Sequence, residues 1–297
     1  MRVRRGLLVV IVLLGLSAGV TAGSAQSTPP VVGFAPGSVR GAGLQGAGAA
    51  LVGDAGAVFS NPAGLATIRH VSLEGTWRRE RPLGLATGAL GWRLGQFDVG
   101  LGLQYLGTDP TAVPGARPPY EALGVGSLVY RFGMIALGGS VRHVRRTTAG
   151  TFERATSGDL GAAVAVFDIM ALGVSLQHVG GNWEKASNIP LPRRTRAGFT
   201  MNYVDPLESF RLLSTIEMSW EPGAGSRLTL GAEGGVVLRG VGVVVRSAYR
   251  SRPAGSPDPT VTFGGTVAIA ELQLDYAYAA SDGLGDTAHR IGARMKL

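Results

Sequence analysis

From residue 70 onward, apolar side chains recur at every second position in stretch after stretch. Phe97, Val99, Leu101, Leu103 and Tyr105 alternate with Asp98, Gly100, Gly102 and Gln104. Leu272, Leu274, Tyr276 and Tyr278 alternate with Gln273, Asp275 and Ala277. Successive side chains of a strand point to opposite faces, so each stretch has one apolar face and one face of small or polar residues. Fourteen such stretches can be marked, at 70–79, 84–93, 96–106, 120–132, 134–145, 155–166, 170–179, 192–203, 210–220, 226–237, 241–250, 260–269, 271–279 and 289–297. A strand of about ten residues is long for a soluble sheet and is the length that crosses a membrane at a tilt.

The connections alternate as well. Those after even-numbered stretches are tight, as at Leu94-Gly95, Gly133 and Arg239-Gly240. Those after odd-numbered stretches are longer, at 107–119, 146–154, 180–191, 251–259 and 280–288. Short turns on one side and long loops on the other predict an all-β transmembrane barrel of about 14 antiparallel strands in the outer membrane of a Gram-negative-type bacterium. An even strand count would put both termini on the periplasmic side. A soluble sandwich or propeller also alternates, because it buries one face of each sheet. Against a sandwich, the polar face here is mostly Gly, Ala and Ser. Aromatics also sit at segment ends, as interfacial girdles do: Trp77, Trp92, Phe97, Tyr105, Tyr120, Tyr130, Phe132, Tyr203, Trp220 and Tyr249. Against a propeller, no 20–50-residue repeat is visible.

Composition agrees with this. Glycine accounts for 47 of 297 residues, and charged residues for 16% against about 25% in a soluble domain. Cysteine is absent, which excludes disulfides, thiolate zinc sites and cysteine nucleophiles. Residues 1–25 read as a signal peptide. Arg2, Arg4 and Arg5 form a basic start, Leu7–Val20 an apolar run, and a cleavage zone of small residues ends after Ala22 or Ala25. The alternative, a membrane anchor, would need a run of about 20 residues. Losing the three arginines lowers the formal charge from +8 to +5. The remaining arginines show no basic-aromatic pattern of the kind that binds nucleic acid. The expected neighbours are outer-membrane lipid and lipopolysaccharide phosphates.

Residues 33–69 break the period. Gly41-Ala-Gly43-Leu-Gln-Gly46 formally matches GxGxxG, but no parallel βαβ pattern surrounds it, so a nucleotide site is not expected. Asn61-Pro62 pairs a favoured N-cap with a residue pre-set for the first helical position, which predicts a short helix from Pro62 to about Thr67. The expected organisation is a signal peptide at 1–25, an N-terminal plug with short helices at 26–69 and a barrel at 70–297.

The stretch Gly46-Ala-Gly-Ala-Ala-Leu-Val-Gly-Asp-Ala-Gly-Ala-Val-Phe-Ser-Asn-Pro-Ala-Gly-Leu65 resembles the N-terminal signature of the PorV/PorQ group, itself related to FadL-type outer-membrane proteins. The likeness is strongest over 38–67, where Asp54, Asn61, Pro62 and Gly64 carry the motif. It implies a fourteen-stranded barrel with the N-terminal segment folded in as a plug. Two departures stand out: the chain is short for a FadL-type transporter, and it ends Arg294-Met-Lys-Leu297 with no terminal aromatic.

His70, His143, His178 and His289 lie near segment ends, and none has metal spacing to another. No GxSxG or HExxH motif occurs. No catalytic residue, metal or cofactor is therefore expected. Alternation puts Asp98, Asp159, Glu217, Glu233 and Asp275 on the lumen face, together with Arg142, Arg246, Arg290, Arg294 and Lys296. They either pair across a narrow lumen and with the plug or line a conduit. By resemblance, the leading function is a non-enzymatic accessory to protein secretion or surface attachment, with a secretion-system or secreted protein as partner. The alternative is FadL-like passive transport of a hydrophobic ligand.

Overall fold

The computed structural model describes residues 32–80, 83–108, 118–148, 151–166, 169–180, 189, 191–205, 209–252, 260–279 and 288–297. Residues 1–25, expected as a signal peptide, and most of the long loops lie outside the described residues.

The strands are β1 (Val71–Glu80), β2 (Leu83–Leu94), β3 (Phe97–Thr108), β4 (Tyr120–Phe132), β5 (Ile135–Thr148), β6 (Thr151–Val166) and β7 (Met170–Val179), followed by β8 (Arg194–Val204), β9 (Phe210–Glu221), β10 (Gly225–Leu238), β11 (Val241–Arg250), β12 (Val261–Ile269), β13 (Leu272–Ala279) and β14 (Ala288–Lys296). Each pairs antiparallel with its sequence neighbours, and β1 pairs with β14, so the sheet closes into a fourteen-stranded barrel. Closure leaves no unpaired edge. No described helix is long and apolar enough to cross a membrane.

Alternation sorts the side chains. Leu103, Leu128, Leu137, Val141, Leu160 and Ile216 point outward and are exposed. Nine of the girdle aromatics are exposed too, from Trp77 to Tyr249, and Tyr120 stacks on Tyr105 at 5.9 Å between ring centroids. At one rim, the turn end, the connections are tight. Arg239 and Gly240 both take positive φ, 52° and 80°, which matches the twist of the flanking β10–β11 hairpin. The opposite rim is the loop end.

One expectation is corrected here. The long loop at 146–154 is not one. β5 runs on to Thr148 and β6 begins at Thr151, with Thr148 opposite Thr151. Polar residues on both faces of this hairpin hide the alternation while its backbone pairing continues. Within the described residues, Val32 and Leu297 lie at opposite rims. Val32 donates its backbone N–H to Glu121 near the loop end of β4, whereas Leu297 bonds to His70 and Val71 at the turn end. The reason is that residues 32–70 run through the lumen once, from loop end to turn end, before β1 starts.

That inner segment holds a short helix α1 (Val39–Gly43) and two 3-10 helices, Ala55–Phe59 and Pro62–Thr67. Ser38 caps α1, accepting the Gly41 N–H, and Asn61 caps the second 3-10 helix, accepting the Ala63 N–H at 3.1 Å. Pro62 occupies the first helical position, as its fixed φ favours.

Candidate functional site

The site is the seam between the inner segment and the barrel wall. It has a charged side and an apolar side.

On the charged side, Arg40 is the single charged residue between positions 33 and 53. Its guanidinium donates to both carboxylate oxygens of Glu233 at 2.8 Å and to Asp54 at 2.6 Å. Asp54 also accepts from Arg294 at 2.8 Å and from Lys296 at 2.7 Å. Arg294 reaches on to Asp275 at 2.6 Å, and Arg246 joins Asp275 to Glu233, both at 3.2 Å. The inner segment is thus tied by one continuous ionic network to β10, β11, β13 and β14. Burial opposes the charge on Asp54, but Lys296, Arg294 and Arg40 outweigh it and hold the carboxyl well below the usual carboxylate range. Burial likewise opposes the charge on Arg40, and Glu233 and Asp54 overcome it, raising its pKa well above the ordinary arginine value.

Nearby, Glu217 accepts the backbone N–H groups of Gly48 and Ala49, each at 2.7 Å, and is itself held by Arg196 at 2.8 Å. Arg290 donates to the Pro36 carbonyl at 2.8 Å. Glu74 is buried with a carboxylate oxygen against Gly56.

The apolar side is formed by β2 to β6. Leu85, Leu106, Leu123, Val129, Val144 and Ala163 face inward and are buried against Val32, Val58, Phe59, Ala63 and Leu65 of the inner segment. Contact is close because the wall there is glycine. A Cβ on Gly100 would sit 2.5 Å from Leu65, one on Gly102 2.6 Å from Phe59, and one on Gly138 2.9 Å from the Ala63 nitrogen. The Asn61 side chain ties this side down through its amide, which donates to the Ala49 carbonyl at 2.6 Å and to the Ala162 carbonyl of β6 at 3.3 Å. Gly64 sits where a Cβ would be 2.9 Å from both Ala57 and the Leu51 carbonyl.

Between the two sides, the wall carries a bulge. Gly158 pairs with Val179 and Leu160 with Leu176, so Gln177 and His178 together oppose Asp159. Asp159 accepts the His178 backbone N–H at 2.9 Å and pairs with Arg142 at 3.2 Å. The extra residue lets both Gln177 and His178 reach inner partners: Gln177 donates to the Phe59 carbonyl at 3.0 Å, and His178 lies 5.3 Å from the Phe34 ring.

The sequence-derived residues therefore fall into groups. Asp54, Glu233, Arg246, Asp275 and Arg294 meet in one network. Arg142 and Asp159 meet at the bulge. Asn61, Pro62 and Gly64 form the seat on the apolar wall. Glu217 and Arg290 hold inner-segment backbone. Asp98 stands apart at the turn end, fully buried between Arg93 and Arg131, at 3.1 and 2.9 Å. Sequence reasoning did not single out Arg40, Glu74, Arg196 or Gln177. Arg40 carried a signal all the same, because a solitary charge in a glycine-rich stretch needs an opposite charge once it is buried.

Two cavities flank the seat. One, of about 380 Å³ at the turn end, is lined by Ala63, Ala66, Met134, Ile135, Ala163 and Val164, among others. The other, of about 100 Å³ toward the loop end, is more polar and is bounded by Phe34, Ser38, Arg194, Arg196, Glu217 and Arg250, among others. Between them lie Ala49, Ala50, Asn61 and Pro62, pressed onto Gly138, Gly161 and Gly173.

No protein-family model matches the chain. A curated NAD kinase of Moorella thermoacetica is 32% identical over 116 residues. The chain spans 37% of that protein's length, and the match takes in 37% of the chain. Solved structures cover far more. The toluene transporter TbuX of Ralstonia pickettii aligns with a TM-score of 0.55 at 13% identity, over 89% of this chain and 100% of that one. The toluene transporter TodX of Pseudomonas putida gives 0.56 at 12%, over 86% and 96%. The monoaromatic hydrocarbon channel CymD gives 0.56 at 14%, over 91% and 99%. At these identities the likeness is one of fold, the closed β-barrel.

Proposed function

We propose that this protein is a FadL-like passive conduit for small hydrophobic molecules across the outer membrane, with residues 26–69 as its plug and residues 1–25 as its export signal. The observation that carries this reading is the two-sided lumen. Ion pairs fasten the plug to β10–β14, while against β2–β6 it makes apolar contact onto a glycine-lined wall. An apolar solute gains by entering the second interface and has nothing to gain from the first. The 380 Å³ apolar cavity beneath Pro62–Thr67 is the exit chamber on this reading. The plug as it stands is closed, so passage requires the Asn61–Pro62 seat to lift. The turn end faces the periplasm and the loop end faces out. The lumen charges hold the plug, and no step of the function is chemical. The neighbours described as hydrocarbon channels and toluene transporters have the same architecture, which supports the assignment.

A second reading, an accessory to protein secretion or surface attachment, rests on the likeness of residues 38–67 to the PorV/PorQ signature. The two readings part on uptake. A Cβ at Gly198 lies 3.3 Å from the Ala49 Cβ, close to the Cβ–Cβ spacing of a disulfide, and the chain has no native cysteine to interfere. In an uptake-deficient strain, wild type should admit toluene-sized hydrocarbons. The oxidised Ala49→Cys/Gly198→Cys variant should block them, and reduction should restore passage. Equal uptake by the oxidised and reduced forms would overturn the moving plug. No uptake by wild type would overturn the conduit and leave the secretion reading.

A further inference from the structure

The first described turn of the plug carries one aromatic ring, and the barrel wall is shaped to hold a ring there. Phe34 is half-buried at the loop end. The Arg194 guanidinium lies 4.5 Å from the centroid of its ring, over the face. The His178 imidazole meets the same ring in a T-shaped contact, with centroids 5.3 Å apart and planes at 67°. A cation over a ring and an edge against a ring are both drawn by the charge distribution of the π system. Neither contact is a hydrogen bond, so each asks only that the occupant be aromatic.

Both walls of this slot are fixed by groups other than Phe34. Arg194, at the start of β8, is paired with Glu221 at the end of β9. His178 stands on the bulge at a φ of 59°. Its Nδ1–H donates to the Pro192 carbonyl at 2.9 Å, and its backbone N–H donates to Asp159 at 2.9 Å. The slot therefore keeps its walls when the ring is withdrawn. Phe34 and Arg194 both border the loop-end cavity of about 100 Å³, so the slot is reached from that end. On its other side Gly33 adjoins Leu123, Val144 and Ala155, where the apolar wall begins. The turn that carries Phe34 is tied at either end, by the Val32 N–H to Glu121 at 3.1 Å and by Arg290 to the Pro36 carbonyl.

We infer that the Arg194–His178 slot selects the solute: an aromatic ring enters it in place of Phe34, and a saturated ring of the same size does not. A saturated ring has no π face to offer, and it would leave the guanidinium against hydrocarbon. Phe34 is the slot's resident occupant, and its withdrawal loosens the turn between Val32 and Pro36. This inference rests on the conduit reading for its solute and narrows the class that the conduit takes.

The test pairs toluene with methylcyclohexane, an aromatic and a saturated ring of one size. In the full barrel in detergent, hydrogen exchange of the backbone amides between Gly33 and Ser38 should rise with toluene. It should stay at its starting level with methylcyclohexane at the same micellar concentration. Arg194→Gln should abolish the difference, and Arg194→Lys, which keeps a cation, should restore part of it. A heat-dependent gel shift shows that each variant is folded. In an uptake-deficient strain, wild type should favour toluene by about tenfold, and Arg194→Gln should admit both solutes alike. Phe34→Leu, which clears the slot of its ring, should admit toluene faster and keep the preference. Equal loosening by both solutes, or a toluene response that survives Arg194→Gln, would overturn the slot. Loosening by toluene alone with no uptake of either solute would uphold the slot and sink the conduit, so the two readings fail separately.

Discussion

Asn61 Oδ1 lies 2.0 Å from where a Cβ at Gly161 would be, so the amide that caps the second 3-10 helix also occupies the space a side chain on β6 would need. The plug seat exists because the wall opposite it has no side chain. Gly161→Ala should therefore unseat the plug or strain β6, at a cost of about 1–3 kcal/mol for an overpacked site. The midpoint of the heat-dependent gel shift should fall. Gly126→Ala faces open space and should leave that midpoint unchanged.

Removing one partner from a buried ionic network leaves the others uncompensated, at a cost of about 3–5 kcal/mol. Asp54→Asn abandons Arg40, Arg294 and Lys296 together. The variant should still form a barrel but admit protease to the inner segment and leak small solutes. A cleavage time course beside wild type measures this, and identical protection would show that the network does not hold the plug.

The same carboxylate sets a pH limit. Its pKa in the folded protein is depressed, so its contribution is fully present above the ordinary unfolded value of about 3.9 and is lost as pH falls through the depressed one. The contribution of Asp54 to plug closure should be flat between pH 5 and 8 and should be lost only in strong acid. Solute leak across a pH series reads this directly. In Asp54→Asn the acid-dependent rise should shrink.

The outer band has its own test. Leu137→Arg places a charge among lipid-facing residues, where it should cost about 2–4 kcal/mol near the midplane. Assembly into membranes should drop, and the reverse exchange at exposed Arg239, Arg239→Leu, should not lower it. A wild-type protein that stayed soluble without detergent would remove the membrane from the account altogether.

Period two was enough to place the strands. β4, β7 and β11 run over 120–132, 170–179 and 241–250, the very bounds the alternation marks. It failed where both faces turn polar, at Arg145–Thr148 and Thr151–Arg154, because backbone pairing outlasts the burial that produces the pattern. The motif around Asn61-Pro62 was legible because capping is local. The partners of Asp54 were not, since they come from positions 40, 294 and 296 and no local period links them. The bulge at His178 was equally hidden: one extra residue shifts a register that only the partner strand can reveal.

Asp54 draws its counter-charges from both ends of the chain. Arg40 arrives with the plug itself, but Arg294 and Lys296 belong to β14, the strand that meets β1 and closes the ring. The residues that complete the barrel's circumference are therefore also the ones that neutralise its interior. A cylinder still open at the β1–β14 seam leaves Asp54 with one of its three counter-charges, and sealing the seam supplies the other two in the same event.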